Sequence, residues 1–143
     1  MAKLTLDVVT PNGVTFSDTV DSVSVEGIDG EIGILPDHIP LFTALKISIV
    51  TFKKDNTTDY IAVMGGFLDV VNNKVTILSR SAEVASNIDV LRVKQDKEKA
   101  ERDLMEKSGD DRFESAQREV VKSHARLRAV ELLEKSGKGR KVL

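Results

Sequence analysis

The sequence contains no cysteine and no tryptophan, and aromatic residues make up only 4% of its 143 positions. Without cysteine there can be no disulfide, no thiolate nucleophile and no thiolate-ligated metal. A core with so few aromatic side chains must be aliphatic, and a hydrophobic content of 41% is enough to form one. No apolar run approaches the roughly 20 residues that a membrane-spanning helix requires, and the opening MAKLTLDVV alternates like a strand, so we expect neither a membrane span nor a secretory signal.

Sequence motifs of catalytic and metal sites are also missing. The chain has no GxSxG, no HExxH and no phosphate-binding GxxxxGK[ST] motif. Its two histidines, His38 and His124, have no ligand partners at metal-binding spacing. We therefore expect no catalytic residue and no metal site in this chain.

The charges divide the chain into two parts. Residues 1–87 carry 6 basic and 11 acidic residues, a net charge of −5, whereas residues 88–143 carry 15 basic and 12 acidic residues, a net charge of +3. A change of sign at one point in the chain indicates two modules with different partners.

The N-terminal part has the pattern of β-structure. Apolar and polar residues alternate in short runs, which is the period of half-buried strands. These runs contain Leu4, Leu6 and Val8; Val23 and Val25; Ile32 and Ile34; and Leu45, Ile47 and Ile49. Turn signals separate the runs at Pro11-Asn12-Gly13, Asp29-Gly30, Gly65-Gly66 and Asn72-Asn73. Many short strands with regular turns predict a β-sandwich or barrel.

The C-terminal part has the composition of helices. Ser86 or Asn87 is the expected N-cap of the first helix, and Gly109 suits the position just after its end. Asp111 is the expected cap of the second helix, with Glu114 completing a capping box. Two helices joined by so short a turn form an antiparallel hairpin.

The seam of this hairpin is predicted to be thin. The second helix should run to about Lys135, followed by a frayed basic tail. The predicted seam residues are Val90, Val93, Ala100 and Leu104 on the first helix and Phe113, Ala116, Val120, Leu127 and Val130 on the second. Lys97 interrupts the first row, and small side chains bury little area, so we expect a hairpin that undocks at modest cost.

Two polar features on the helices have alternative interpretations. Arg118, Lys122 and Arg126 recur every four residues and form one stripe, which is either a solvated face with ion pairs to neighbours such as Glu119 or a clamp for an anionic partner. Asp89 lies in the predicted first turn with Arg92 three residues on, which fits an ordinary helix start.

The segment GEIGILPDHIPL, residues 30–41, combines turn residues with apolar ones. Its glycines and prolines fix a chain direction that regular strand pairing would not allow. That explanation leaves Glu31 and His38 beside an apolar ridge that we expect to be exposed.

These motifs together resemble the epsilon family of F-type ATP synthases over essentially the whole chain. The resemblance rests on LDVVTPNG, GIDGEIGILPDHIPLFTAL, GGFLDVVNNKVTILS and the IDVLR helix start. It implies an α+β protein with an antiparallel β-sandwich of about ten strands in residues 1–86 and a helical hairpin in residues 87–143. Chloroplast epsilon and mitochondrial delta subunits share this plan.

The resemblance also implies a function without an active site. Such a subunit packs on the gamma subunit, touches the polar loops of the c-ring and couples the catalytic head to the rotor. It inhibits ATP hydrolysis when the hairpin extends and its second helix meets an acidic segment of a beta subunit. The resemblance assigns Glu31 to the c-ring side and His38 to the neighbourhood of gamma. It assigns the stripe Arg118, Lys122 and Arg126 to inhibition. The implied location is peripheral, on the cytoplasmic face of a bacterial plasma membrane, rather than on the stromal face of a thylakoid.

Some members of the family bind ATP on the folded hairpin, and no other cofactor is implied. The corresponding positions here are Glu83, Ile88, Asp89, Arg92, Val93, Lys99, Lys122 and Arg126. Val93 replaces an alanine of the motif, and lysine replaces arginine at Lys99 and Lys122, which removes a bidentate fork for phosphate. ATP is therefore expected to bind weakly or not at all.

Two other function classes are less consistent with the sequence. A nucleic-acid-binding hairpin would segregate its basic residues, but here acidic residues are interspersed along both predicted helices. A small enzyme on the β-module would need a catalytic constellation, and the sequence contains none of the motifs named above.

Overall fold

The fold consists of eight strands, a short 3₁₀ turn and two helices. The computed structural model describes residues 2–106 and 111–136, and of residues 111 and 112 only the backbone. The elements are β1 Leu4–Thr10, β2 Gly13–Val20, β3 Ser22–Gly27, β4 Gly30–Ile34, β5 Leu41–Lys54, β6 Thr57–Val71, β7 Lys74–Leu78, β8 Ala82–Val84, the 3₁₀ turn Ala85–Asn87, α1 Val90–Glu106 and α2 Asp111–Ser136.

The strands form one sheet that folds over on itself into a sandwich. Their order is β2-β1-β7-β6-β5-β3-β4, with β8 paired to β6. Phe16 on β2 and Phe52 on β5 are far apart in this order, yet their ring centroids lie only 4.7 Å apart. Every pair is antiparallel except β1 and β7, which run parallel.

The alternation predicted for the first strands is confirmed. Leu4, Leu6 and Val8 are fully buried, and Val25 and Ile34 join them in one aliphatic core. Since β-strand side chains alternate between the two faces, the intervening polar residues point outward.

The alternation of inward and outward side chains reverses halfway along the two long strands, β5 and β6. Leu45 packs in the sandwich core, but Ile47 and Ile49 do not share its face, contrary to the prediction; they pack against the helices instead. The register passes directly from Leu45↔Gly66 to Ile47↔Met64, which leaves one residue on each strand unpaired and reverses the alternation.

The glycine pair does not end a strand. Gly65 and Gly66 have φ angles of 78° and 122°, and β6 continues through them. The structure therefore has eight strands where about ten were expected, because β5 and β6 each remain continuous across the bend. A Cβ on Gly66 would lie 1.9 Å from the carbonyl oxygen of Leu78, so this approach requires glycine.

The first helix begins later than predicted. Ser86 and Asn87 lie in the 3₁₀ turn, and the cap is Asp89, whose Oδ1 accepts a hydrogen bond from the backbone N–H of Arg92 at 3.2 Å. A carboxylate can satisfy a free N–H of the first turn and also favours the positive end of the helix dipole. Gly109, the side chain of Asp111 and the tail after Ser136 lie outside the described residues.

The second helix buries two sides rather than one. Val93 and Ala100 of α1 and Ala116 and Val130 of α2 are buried, as the seam prediction requires. The seam prediction, however, omitted the three most buried residues described on α2, Ser123, Ala129 and Leu133, and also the buried Ala125. Of these, Ala125, Ala129 and Leu133 pack with Ala62, Met64, Ala85 and Ile88, a set of β-module and linker residues that we call the hairpin seat.

Candidate functional site

A cluster of charged residues ties both helices to the sheet. Glu83 lies on β8, where backbone pairing with Ala62 holds it to β6. Its Oε1 lies 2.9 Å from Nε of Arg126 on α2, and its Oε2 lies 3.8 Å from Nη2 of Arg92 on α1. We call Glu83, Arg92 and Arg126 the ion-pair junction.

The guanidinium of Arg126 is largely withdrawn from water. Its side chain is 13% exposed, against 58% for Arg92. Nη1 of Arg126 donates to Oε2 of Glu119 at 3.4 Å, and the Ser123 hydroxyl donates to the same oxygen at 3.3 Å. Nε is buried without a directed hydrogen bond, so its close contact with Glu83 is an ion pair rather than an aligned N–H···O bond.

The basic stripe of α2 is not one solvated row in this conformation. Arg118 is exposed and Lys122 is half-buried, while Arg126 turns toward the β-module. The ion pair expected between the stripe and Glu119 is present at Arg126. Only Arg118 is therefore fully presented to a partner while the hairpin is docked.

The positions assigned to ATP by resemblance do not all lie together: most are at the ion-pair junction, but Lys99 lies in a groove between the helices. Ile88 and Val93 are buried beside the junction, and Asp89 caps α1 next to Arg92. Lys99 is exposed and lies in a shallow groove of about 400 Å³ between α1 and α2, with Asp96, Asp103 and Glu119 among the lining residues. Glu119 contacts both the groove and Arg126, so the groove adjoins the junction, but the acidic groove residues oppose a polyphosphate.

The segment Gly30–Leu41 is anchored at two points, Glu31 and Asp37. Glu31 is exposed on β4, and its Oε2 accepts a hydrogen bond from the Ser24 hydroxyl at 2.9 Å. Asp37 has a φ of 69°, and its backbone N–H donates to Oδ1 of Asn73 at 2.6 Å. This bond ties the segment to the turn between β6 and β7.

The apolar ridge expected in this segment is exposed. Leu35 and Ile39 are 64% and 74% exposed. His38 is half-buried, and its Nδ1 lies 2.7 Å from the Ile39 carbonyl oxygen, a hydrogen bond that the ring donates. Glu31 and His38 thus flank an ordered apolar surface.

Sequence reasoning missed an apolar band on the outer face of the sheet. Register places one row of partners side by side across five strands: Val14, Val9, Leu78, Phe67 and Ala44. Phe42 stacks on Phe67 with ring centroids 5.6 Å apart. Phe42, Phe67 and Leu78 are 65%, 48% and 46% exposed, and contiguous exposed apolar area of this kind marks a binding surface.

The next row on the same face is polar, which limits the band. Phe42 is followed across the sheet by Asp69, Thr76, Asp7 and Ser17. The sequence signal was available, because Phe42 and Phe67 occupy outward positions of alternating strands where polar residues are usual.

Within residues 2–106 and 111–136, no helix is long and apolar enough to cross a membrane. Over the same residues, no three histidine or carboxylate side chains are grouped so that they could hold a metal ion.

The β-module matches a known class of domain. The sequence model of the family "ATP synthase, Delta/Epsilon chain, beta-sandwich domain" matches residues 3–85, which is more than half of the chain. The fold described above therefore defines an ATP synthase delta/epsilon-type protein, with its sandwich followed by two helices.

Curated relatives narrow this class. The ATP synthase epsilon chain of Bacillus mycoides is 42% identical over 127 residues, covering 89% of this chain and 96% of the relative. That of Halalkalibacterium halodurans is 47% identical over 106 residues, covering 74% and 80%. The chain belongs to the ATP synthase epsilon-chain family.

Solved structures agree with this fold. A chain of the Euglena gracilis mitochondrial ATP synthase, in an OSCP/F1/c-ring structure, aligns with a TM-score of 0.65 at 20% identity, covering 95% of this chain and 82% of that one. A chain of the central stalk and c-ring of the Tetrahymena thermophila mitochondrial ATP synthase aligns with a TM-score of 0.57 at 12% identity, covering 90% and 96%. At these identities the likeness concerns the fold.

Proposed function

We propose that this chain is a non-catalytic subunit of the central stalk, which couples the catalytic head to the c-ring and regulates ATP hydrolysis. The observation that carries the proposal is the pair of exposed surfaces on the β-module. The apolar band offers Phe42, Phe67 and Leu78, and the segment Gly30–Leu41 offers Leu35 and Ile39. Large apolar side chains held on strands, or on a loop anchored by hydrogen bonds, are suited to a stable protein interface.

The two surfaces fit different partners. The apolar band suits an apolar face of the gamma subunit, and His38 lies on the segment that leads into β5, beside Phe42 of the band. Glu31, on the edge strand β4, suits the polar loops of the c-ring, because an exposed carboxylate pairs readily with polar or basic groups. Contact with the c-ring would make this chain a peripheral membrane protein, on the cytoplasmic face of a bacterial plasma membrane.

The helical hairpin is proposed to inhibit ATP hydrolysis by leaving the β-module and extending into the catalytic head. Two of the four seat residues, Ala62 and Ala85, are small, and so are Ala125 and Ala129 of α2 in the same cluster. Small side chains bury little apolar area, which lowers the cost of undocking. In the extended state, Arg118, Lys122 and Arg126 would meet an acidic segment of a beta subunit.

ATP is a proposed ligand of the docked hairpin, in a regulatory rather than a catalytic role. The proximity of Arg92 and Arg126 at the base of the hairpin supports a phosphate-binding site there. Calorimetric titration of the isolated chain with ATP, with and without magnesium, tests this role. No heat up to millimolar ATP refutes nucleotide sensing.

The experiment that tests the inhibitory function compares ATP hydrolysis by the assembled complex with the full chain and with a chain truncated after Ser86. Hydrolysis that rises on truncation supports the proposal, and unchanged hydrolysis refutes it. Arg118→Ala and Lys122→Ala should then reproduce part of the rise. Arg128→Ala is the matched control, because Arg128 is also basic and exposed on α2 but lies outside the stripe.

A further inference from the structure

Glu83 joins three elements of the fold at one carboxylate. It sits on β8, and it faces Arg92 of α1 and Arg126 of α2 at 3.8 and 2.9 Å. Backbone pairing of Glu83 with Ala62 fixes it to β6, so its position does not depend on the helices. The same carboxylate therefore connects the β-module to both helices.

The contact with Arg126 is the stronger of the two. The Arg126 side chain is 13% exposed, whereas Arg92 is 58% exposed and its ion pair is screened by water. A cation removed from water needs a nearby anion, and leaving it unpaired is costly. Arg126 has a second anion, Glu119, at 3.4 Å.

Glu119 cannot hold the hairpin to the sheet, because it lies on α2 and moves with Arg126. Glu83 stays behind on β8 whenever the helices leave. The apolar contacts around the junction combine alanines with larger side chains such as Met64, Ile88 and Leu133, and none of these side chains can pair with the Arg126 guanidinium once it leaves Glu83. The Glu83–Arg126 pair is therefore well placed to decide whether the hairpin is docked.

We propose that Glu83 and Arg126 form a latch that holds the hairpin on the β-module without any bound ligand. Release follows when a carboxylate from an acidic peptide segment replaces Glu83 on Arg126. Exchange of one carboxylate for another keeps Arg126 paired both when the hairpin is docked and when it is released. The free-energy difference between the docked and released states is therefore smaller. The regulatory meaning of this exchange rests on the proposed function; the latch itself does not.

Hydrogen exchange of the full chain tests the latch through a double-mutant cycle. Glu83→Gln should speed amide exchange in α2 by roughly ten- to hundredfold, because Arg126 loses its partner on the β-module. Arg126→Met probes the pair from the helix side. The double variant Glu83→Gln/Arg126→Met should exchange more slowly than Glu83→Gln, because it no longer places a largely buried cation against a β-module that has lost its matching carboxylate.

Two comparisons keep this cycle interpretable. Lys54→Met removes an ion pair within the sandwich, to Asp18, and should leave α2 exchange unchanged. Amides of β1 and β7 report on the sandwich and should be protected equally in all variants. The latch is overturned if the α2 amides of Glu83→Gln exchange at the wild-type rate. It is also overturned if the effects of the two single substitutions on α2 exchange simply add in the double variant.

A hexaglutamate peptide tests the carboxylate exchange. At low salt it should speed α2 exchange in the wild type and have little effect on Arg126→Met, and hexalysine should have no effect on either. If hexaglutamate leaves wild-type exchange unchanged, release by carboxylate exchange is wrong. Both experiments use the isolated chain, so their failure is distinct from failure of the truncation to alter hydrolysis in the complex.

Discussion

Phe42 and Phe67 stack on the outside of the sheet with ring planes only 10° apart and centroids separated by 5.6 Å. Both rings remain largely exposed, at 65% and 48%. Two neighbouring strands thus present an ordered aromatic pair to solvent at one end of the apolar band. An aromatic pair on a rigid sheet has the composition of an interface hot spot.

Replacing Phe67 with threonine should weaken binding of the purified gamma subunit by roughly tenfold or more, since interface aromatics carry much of the binding energy. Threonine suits a strand, so the free energy of unfolding should change little. The affinity would be measured by binding of the purified variant to surface-immobilised gamma subunit. Val121→Thr removes an equally exposed apolar side chain from α2 and is the control; an equal loss for both variants contradicts a role for the band.

Replacing Glu31 with alanine should weaken coupling or assembly of the complex while leaving the isolated fold intact. Glu31 is exposed, and its side-chain partner is the hydroxyl of Ser24, so its loss should change stability by about 0.5 kcal/mol or less. Proton pumping driven by ATP in reconstituted vesicles measures coupling. Ser24→Ala removes the same hydrogen bond but keeps the carboxylate; if Glu31→Ala instead unfolds the sandwich, the residue is structural.

Replacing Gly66 with alanine should destabilise the chain by roughly 3 kcal/mol or more. The added Cβ would meet the Leu78 carbonyl at 1.9 Å, and the φ of 122° disfavours any side chain. Gly33→Ala is the control, because a Cβ there meets nothing within 4 Å. Urea unfolding monitored by circular dichroism compares the two, and equal midpoints would contradict the steric argument.

Replacing Asp59 with asparagine should stabilise the chain at neutral pH. Burial raises the pKa of Asp59, and the N–H of Tyr60, which donates to its Oδ1 at 2.7 Å, only partly offsets this. The folded state therefore holds the proton more tightly than the unfolded state, so the native aspartate costs stability as the pH rises through this pKa. The gain should disappear below about pH 3.9, where the aspartate is protonated in both states.

Asp18 should behave in the opposite way. The hydrogen bond from Lys54 holds the pKa of Asp18 below its usual value, with a smaller contribution from the backbone N–H of Thr19. Its contribution to stability is present above the unfolded pKa and is lost as the pH falls through the folded one. Asp18→Asn should therefore destabilise at pH 7, with the difference vanishing in acid. Thermal unfolding of both variants against pH checks the two signs together.

The helices should exchange their amide hydrogens faster than the strands of the sandwich. The sandwich core is built from fully buried aliphatic residues such as Leu4, Ile61 and Leu68, whereas four of the nine buried residues in the cluster that seats the hairpin are alanines. Local opening is easiest where least apolar area is buried. Equal slow exchange in both modules would contradict a marginal hairpin.

Local patterns in the sequence predicted the elements better than their partners. The alternation of β1 and the composition of the helices are local properties, and both predictions are confirmed. The parallel pairing of β1 with β7 depends on residues far apart in the chain, which periodicity does not report. The reversal of face in β5 required knowledge that an unpaired residue lies opposite the glycines.

The candidate site was predictable in its residue types but not in its geometry. The spacing of Arg118, Lys122 and Arg126 predicted a common face, yet Arg126 is drawn inward by Glu83, which lies on a distant strand. Helix α2 also contacts both α1 and the sheet, so one apolar stripe could not describe its buried residues. Ala129 and Leu133 were missed for that reason.

Strand β6 contributes residues to both the hairpin seat and the apolar band. Met64 belongs to the hairpin seat and Phe67 to the apolar band, and only the two glycines separate them. Three residues of extended chain span about 10 Å, so a protein bound outside and a helix docked opposite share one short length of backbone. Under the proposed function, a tilt that the gamma subunit imposes at Phe67 reaches the hairpin by way of Gly65 and Gly66. The sandwich would then act as a lever between the rotor and the hairpin, rather than only as an anchor.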